Sequence, residues 1–133
     1  METTEKPLVL IVEDSRTNSL LATMVLNRSG YRTEVVRSGK ELRARLKGCR
    51  PDLIVMDIQL PDVDGFTLTR AVKAAPDTAG IPIIALTSRA REEDASSAGY
   101  AGCDDYLIKP LNLATFPETV AAVLERAARS EFV

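Results

Sequence analysis

Leu53-Ile54-Val55-Met56-Asp57 is a run of four apolar residues closed by one acid. A short, continuous aliphatic run of this kind fits a strand buried on both faces, as in a parallel sheet. Three other stretches follow the same plan. Leu8–Val12 ends in Glu13 and Asp14, the run from Ile81 to Leu86 ends in Thr87 and Ser88, and the run from Tyr106 to Ile108 ends in Lys109. In an open parallel sheet the C-terminal strand ends share one edge, and ligands bind in the crevice there. Residues spread over the whole chain would then meet in one pocket. Three carboxylates, a hydroxyl and an ammonium in one pocket point to a divalent cation and a phosphoryl group.

Between these runs the apolar residues fall at helical spacing. A fifth strand, Arg32–Val36, is mixed in polarity and fits a sheet edge. Residues 15–29 carry Leu20, Leu21, Met24 and Val25 as one apolar stripe, with Gly30 as a stop. Residues 39–48 carry Leu42 and Leu46. Residues 66–75 carry Leu68, Ala71, Val72 and Ala75, ended by Pro76. Residues 117–130 carry Val120, Val123, Leu124 and Ala127, opened by a Thr115–Glu118 capping box. A segment near 90–101, rich in Ser, Asp and Gly, is expected to form a marginal, mobile helix, because Gly costs about 1 kcal/mol against Ala in a helix interior. Five strands alternating with five helices predict an α/β fold: a (βα)5 doubly wound parallel sheet in the order 2-1-3-4-5, the flavodoxin-like arrangement. The second and fifth strands, the more polar ones, become the edges.

Length and composition allow one domain with a real core. The chain has 133 residues, 45% hydrophobic and 27% charged, with 17 basic and 19 acidic side chains and a net charge of −2. That balance gives no reason to expect direct nucleic-acid binding. No apolar run approaches the ~20 residues that span a bilayer, and a cytoplasmic location is the expectation. Cys49 and Cys103 have no metal-ligand spacing and are expected as reduced thiols. The absence of His removes zinc sites of the Cys/His type, Ser-His-Asp and Cys-His catalysis, and any role as a histidine kinase. A moving phosphoryl group must therefore ride on a carboxylate or a hydroxyl. Asp57 is the nucleophile candidate, since a carboxylate can form an acyl phosphate. Glu13 and Asp14 are hard oxygen donors that suit Mg2+. Two carboxylates ~5 Å apart repel by roughly 3 kcal/mol at an effective dielectric of ~20, so three together call for a cation. Lys109 can hold Asp57 in one state and a phosphoryl oxygen in the other, and the Thr87 hydroxyl can donate to such an oxygen.

The segments LVLIVEDS (8–15), LIVMDIQLPDVDG (53–65), IIALTS (83–88) and GCDDYLIKPL (102–111) resemble the response-regulator receiver domain of two-component signalling, over a core of about 7–129. The resemblance implies that Asp57 accepts a phosphoryl group from a phosphohistidine on a sensor histidine kinase or a histidine phosphotransfer protein. It implies that Asp14, Asp57 and the Gln59 backbone carbonyl ligate Mg2+, with Glu13 acting through water. It implies a cis bond before Pro110 and a switch pair, Thr87 and Tyr106, that moves an output face made of the fourth helix, fifth strand and fifth helix. An unknown downstream protein would read that face, and homodimerisation through it is left open. The kinase would dock near the first helix, with Arg16, Thr17 and Leu20 as candidates. Gln59 and Arg89 occupy positions that tune acyl-phosphate lifetime in the family. Asp62 and Asp64 read as turn acids and a helix cap rather than ligands, and Asp104 and Asp105 as loop residues.

Other readings are weaker. A Mg2+-dependent phosphatase or phosphotransferase pairs its nucleophile with an acid two residues on, where this chain has Gln59. A degenerate receiver used only for binding would not need intact Asp57, Thr87 and Lys109. A flavin protein would meet acids where its phosphate should sit. No output domain is expected, and a single-domain regulator is favoured over a piece of a larger protein such as a hybrid kinase.

Overall fold

The computed structural model describes residues 6–88 and 102–130. Five parallel strands form one sheet: β1 (Leu8–Val12), β2 (Arg32–Val36), β3 (Leu53–Asp57), β4 (Ile83–Thr87) and β5 (Asp105–Ile108). Their order is β2-β1-β3-β4-β5, as expected, with β2 and β5 at the edges. Four helices are described: α1 (Arg16–Arg28), α2 (Gly39–Leu46), α3 (Gly65–Ala74) and α4 (Phe116–Ser130). The helix expected near 90–101 lies outside the described residues. No described helix is long and apolar enough to cross a membrane.

Strand periodicity builds the core. On one face, Val9, Ile11, Leu53, Val55, Ile84 and Leu86 pack with Ala22 and Leu26 of α1 and Phe116, Val120 and Val123 of α4. On the other, Leu10, Val12, Ile54, Met56 and Ile83 pack with Leu42 of α2 and Leu68 and Val72 of α3. Strands buried on both sides explain the unbroken apolar runs. β4 begins two residues later than the run from Ile81 suggested. Pro82 has no N–H for the ladder, though its carbonyl accepts from the Ile54 N–H (2.9 Å).

Two local expectations change. Most of the stripe expected to bury α1 faces outward: Leu20, Leu21 and Met24 are 58%, 41% and 51% exposed, and only Val25 packs against the core. The helix buries Ser19, Ala22 and Leu26. Small residues at the first two positions let it sit close to the sheet, and Ser19 satisfies its hydroxyl on the Arg16 carbonyl (3.1 Å). The start of α4 is likewise held differently from the expected capping box. The Asn112 side-chain oxygen accepts from the Ala114 and Thr115 N–H groups (2.9 and 3.2 Å), and the Thr115 hydroxyl turns back onto the Asn112 carbonyl (3.4 Å). The α1 stop is as expected. Gly30 sits at φ 100°, while the Tyr31 N–H reaches the Leu26 carbonyl and the Gly30 N–H that of Asn27.

Candidate functional site

The ladder runs one residue past three strands and thereby fixes the backbone at the sheet's C-terminal edge. The Glu13 N–H donates to the Val36 carbonyl, Ile58 to Leu86 and Lys109 to Thr87 (2.9, 3.1 and 2.7 Å). Within each strand, side chains alternate between faces. Glu13 therefore continues the row Val9–Ile11, and Asp57 continues Leu53–Val55.

Asp57 is buried, 2% exposed, at the end of β3. Its Oδ1 accepts from Lys109 Nζ (3.0 Å) and from the Gln59 N–H (3.0 Å). The Lys109–Pro110 peptide bond is cis. Glu13 is equally buried and neighbours Asp57. Its Oε2 accepts from the Ser15 N–H (3.1 Å), while its Oε1 is buried with no partner. Burial first, and then the neighbouring Asp57 carboxyl, push the Glu13 carboxyl up to about 7. Two adjacent buried acids facing one ammonium form a site short of positive charge.

The remaining residues expected here stand further out. Asp14 is exposed past the end of β1, and its carbonyl accepts from Arg37 Nη1 (3.4 Å). Thr87 is fully buried at the end of β4, and its hydroxyl donates to the Ser88 carbonyl (3.3 Å) rather than to Asp57. Tyr106 is half-buried and packs on Ile58, Phe66 and Ala85. Arg89 lies outside the described residues. Among those described, no three acidic, Cys or His side chains converge into a ready metal cage. Beside the site, Glu13, Lys109, Asn18, Leu21, Leu86 and Leu113 line a cleft of about 440 Å³.

The other loop acids have structural partners. Asp64 caps α3 by accepting from the Phe66 N–H (2.7 Å). Asp62 is not a free turn acid, since both its oxygens accept backbone N–H groups at the start of α2. Asp104 ties the starts of β4 and β5 to α3, its Oδ2 accepting from the Ile83 N–H (2.8 Å) and Lys73 Nζ (2.9 Å). Asp105 opens β5 and faces Arg126 at 3.6 Å. Local sequence carries no sign of the Asp62 contact, because its partners lie more than twenty residues upstream.

The sequence profile of the response regulator receiver domain matches residues 9–121. The polar-differentiation response regulator DivK of Brucella anthropi is 39% identical over 116 residues, covering 87% of this chain and 94% of that protein. Among solved structures, the receiver domain of a signal transduction histidine kinase from Syntrophus aciditrophicus superposes with a TM-score of 0.84 at 37% identity, covering 90% of this chain and 91% of that one. The receiver domain of a sensor histidine kinase from Pseudomonas aeruginosa PAO1, with a magnesium ion coordinated in its active-site cleft, matches at 0.81 and 32% identity, covering 90% and 98%.

Proposed function

The chain belongs to the response regulator receiver domain family, and from that premise we propose that Asp57 is its phosphoacceptor, charged by a phosphohistidine on a sensor histidine kinase or a histidine phosphotransfer protein. The observation that carries the reading is the buried Asp57 carboxylate, held on one oxygen by Lys109 Nζ and the Gln59 N–H. A carboxylate oxygen attacks phosphorus and a P–O bond forms. The P–N bond to the imidazole breaks, and the imidazole leaves with the electron pair and takes a proton from water. Lys109 orients the nucleophile beforehand and is placed to follow the phosphoryl oxygens afterwards. Thr87 exchanges its bond to the Ser88 carbonyl for a phosphoryl oxygen, and Tyr106 repacks behind it. Those two movements carry the state of Asp57 toward a protein-binding face that includes β5 and α4.

The donor set suits Mg2+, which binds through one or two carboxylates and keeps several waters. The unpartnered, buried Glu13 Oε1 is the sign of a missing positive or donor group. Asp14, Asp57 and the Gln59 carbonyl would hold the ion, with Glu13 acting through water. When bound, it supplies the positive charge that lets an anionic phosphoryl group approach clustered carboxylates. The product is a signalling state rather than a released molecule, so the chain works as a switch, not as a turnover enzyme.

Intact mass after incubation with Mg2+ and acetyl phosphate tests the reading. One Mg2+-dependent phosphoryl adduct is expected on the wild type and none on Asp57→Asn. A wild type that binds Mg2+ yet takes no adduct overturns it in favour of a phosphorylation-independent binding module.

A further inference from the structure

We propose that Asp62 is a positioning residue for the Asp57 site: it clamps the loop that follows β3 onto the N-terminus of α2 and so sets where the Gln59 backbone stands. The proposal deepens the phosphoacceptor reading and rests on it. Asp62 Oδ1 accepts from the Gly39 N–H and Oδ2 from the Lys40 N–H, each at 2.9 Å, across 23 and 22 residues of sequence. Ser38 already caps α2 by accepting from the Glu41 N–H (3.1 Å). Asp62 therefore takes two first-turn amides that the cap leaves over. These bonds hold its carboxyl below the usual range, with Gly39 the larger influence.

Packing confirms how close the loop lies to α2. A Cβ at Gly39 would stand 2.5 Å from Val63 Cγ1, so the loop rests where only glycine leaves room. The loop's other end is closed as well. The Gly65 N–H donates to the Ile58 carbonyl (2.8 Å), Gln59 and Asp64 form an antiparallel bridge, and Asp64 caps α3. Gln59 lies between these anchors, and its N–H holds Asp57 Oδ1. Removing the Asp62 anchor frees the apex of the loop while β3 and the α3 cap keep their own bonds. Gln59 then keeps its bridge to Asp64 but loses the support of the loop apex, which loosens its relation to Asp57 on one side and to the metal position on the other.

The test separates positioning from plain helix capping. The full chain is titrated calorimetrically with Mg2+ alone, as wild type, Asp62→Ala, Asp62→Asn and Ser38→Ala, and phosphoryl uptake from acetyl phosphate is followed by intact mass. Asp62→Ala is expected to weaken Mg2+ binding about tenfold, the scale for groups that orient metal ligands, and to slow uptake. Asp62→Asn, whose amide oxygen still accepts one N–H, loses less. Ser38→Ala lowers the urea midpoint of α2 unfolding but leaves Mg2+ affinity unchanged. Asp62→Ala binding Mg2+ as the wild type does, or Ser38→Ala weakening it equally, overturns the proposal; if the alanine variant does not fold, Asp62→Asn is held to the same comparison. A wild type that binds Mg2+ but is never phosphorylated removes the phosphoacceptor reading while the Mg2+ affinities still decide the role of Asp62. A wild type that binds no Mg2+ overturns both.

Discussion

Glu13 keeps one carboxylate oxygen away from water with nothing to bond, and this has a consequence for pH. Its carboxyl titrates near 7 in the fold against an ordinary 4.5, mainly through burial. Between those values the folded chain keeps a proton that the unfolded chain releases. The stabilisation is full below about 4.5 and is lost as pH rises through about 7. Metal-free protein should therefore show a falling urea midpoint from pH 5 to 8, and Glu13→Gln should flatten that slope. Mg2+ affinity should rise over the same interval, because the cation favours the ionised acid. Identical slopes in wild type and Glu13→Gln would place the titration elsewhere. Cys103 illustrates the opposite use of the same physics. Burial pushes its thiol up to about 11, so it is held as an inert neutral thiol beside the Ile58–Phe66–Ala85 cluster.

Helix α1 shows where sequence periodicity stops being informative. The segment and its ends were legible, with Ser15 accepting from the Asn18 N–H at the start and Gly30 at the stop. The buried face was not, because the largest apolar residues dominate any pattern while the sheet is met by Ser19, Ala22 and Leu26. Leu26 has no exposure and Met24 is half in water, although both read as hydrophobic. Leu26→Ala should cost about 2–5 kcal/mol. Met24→Ala should stay within about 0.5 kcal/mol of wild type, as surface changes do. Urea unfolding of both variants decides this, and equal losses would mean that the outer stripe packs against the fold after all. In the other described helices the large residues of the expected stripes are the buried ones, as with Leu42, Leu68, Val120 and Val123, whereas Ala75 lies exposed past the end of α3.

Across the whole molecule, the strand order and the gathering of Glu13, Asp57 and Lys109 at one edge were legible because the buried apolar runs close in polar residues and the more polar second and fifth strands fit the edges of a doubly wound sheet. The Asp62 clamp was not, since it joins segments that no local pattern relates. Nor was the exposure of Leu20, Leu21 and Met24; Leu21, with the exposed Leu113, lines the cleft that also holds Glu13 and Lys109, and Leu20 and Met24 stand exposed on the same helix. Folding gains little from apolar groups left in water, and exposed apolar side chains on a helix beside a polar cleft suit a contact surface. The nearness of Leu21 to the cleft beside Asp57 suits the proposed reading, in which a partner brings a phosphohistidine there. The double variant Leu20→Glu/Met24→Glu should therefore slow transfer from a phosphorylated histidine phosphotransfer protein by about tenfold or more, the effect of losing an interface anchor. Uptake from acetyl phosphate, which needs no docking, should be unchanged. Equal loss with both donors would show that the substitutions disturb the site itself, and no loss with either would put the partner on another face. Only a selective loss would separate a donor-recognising surface from the proposed acceptor carboxylate.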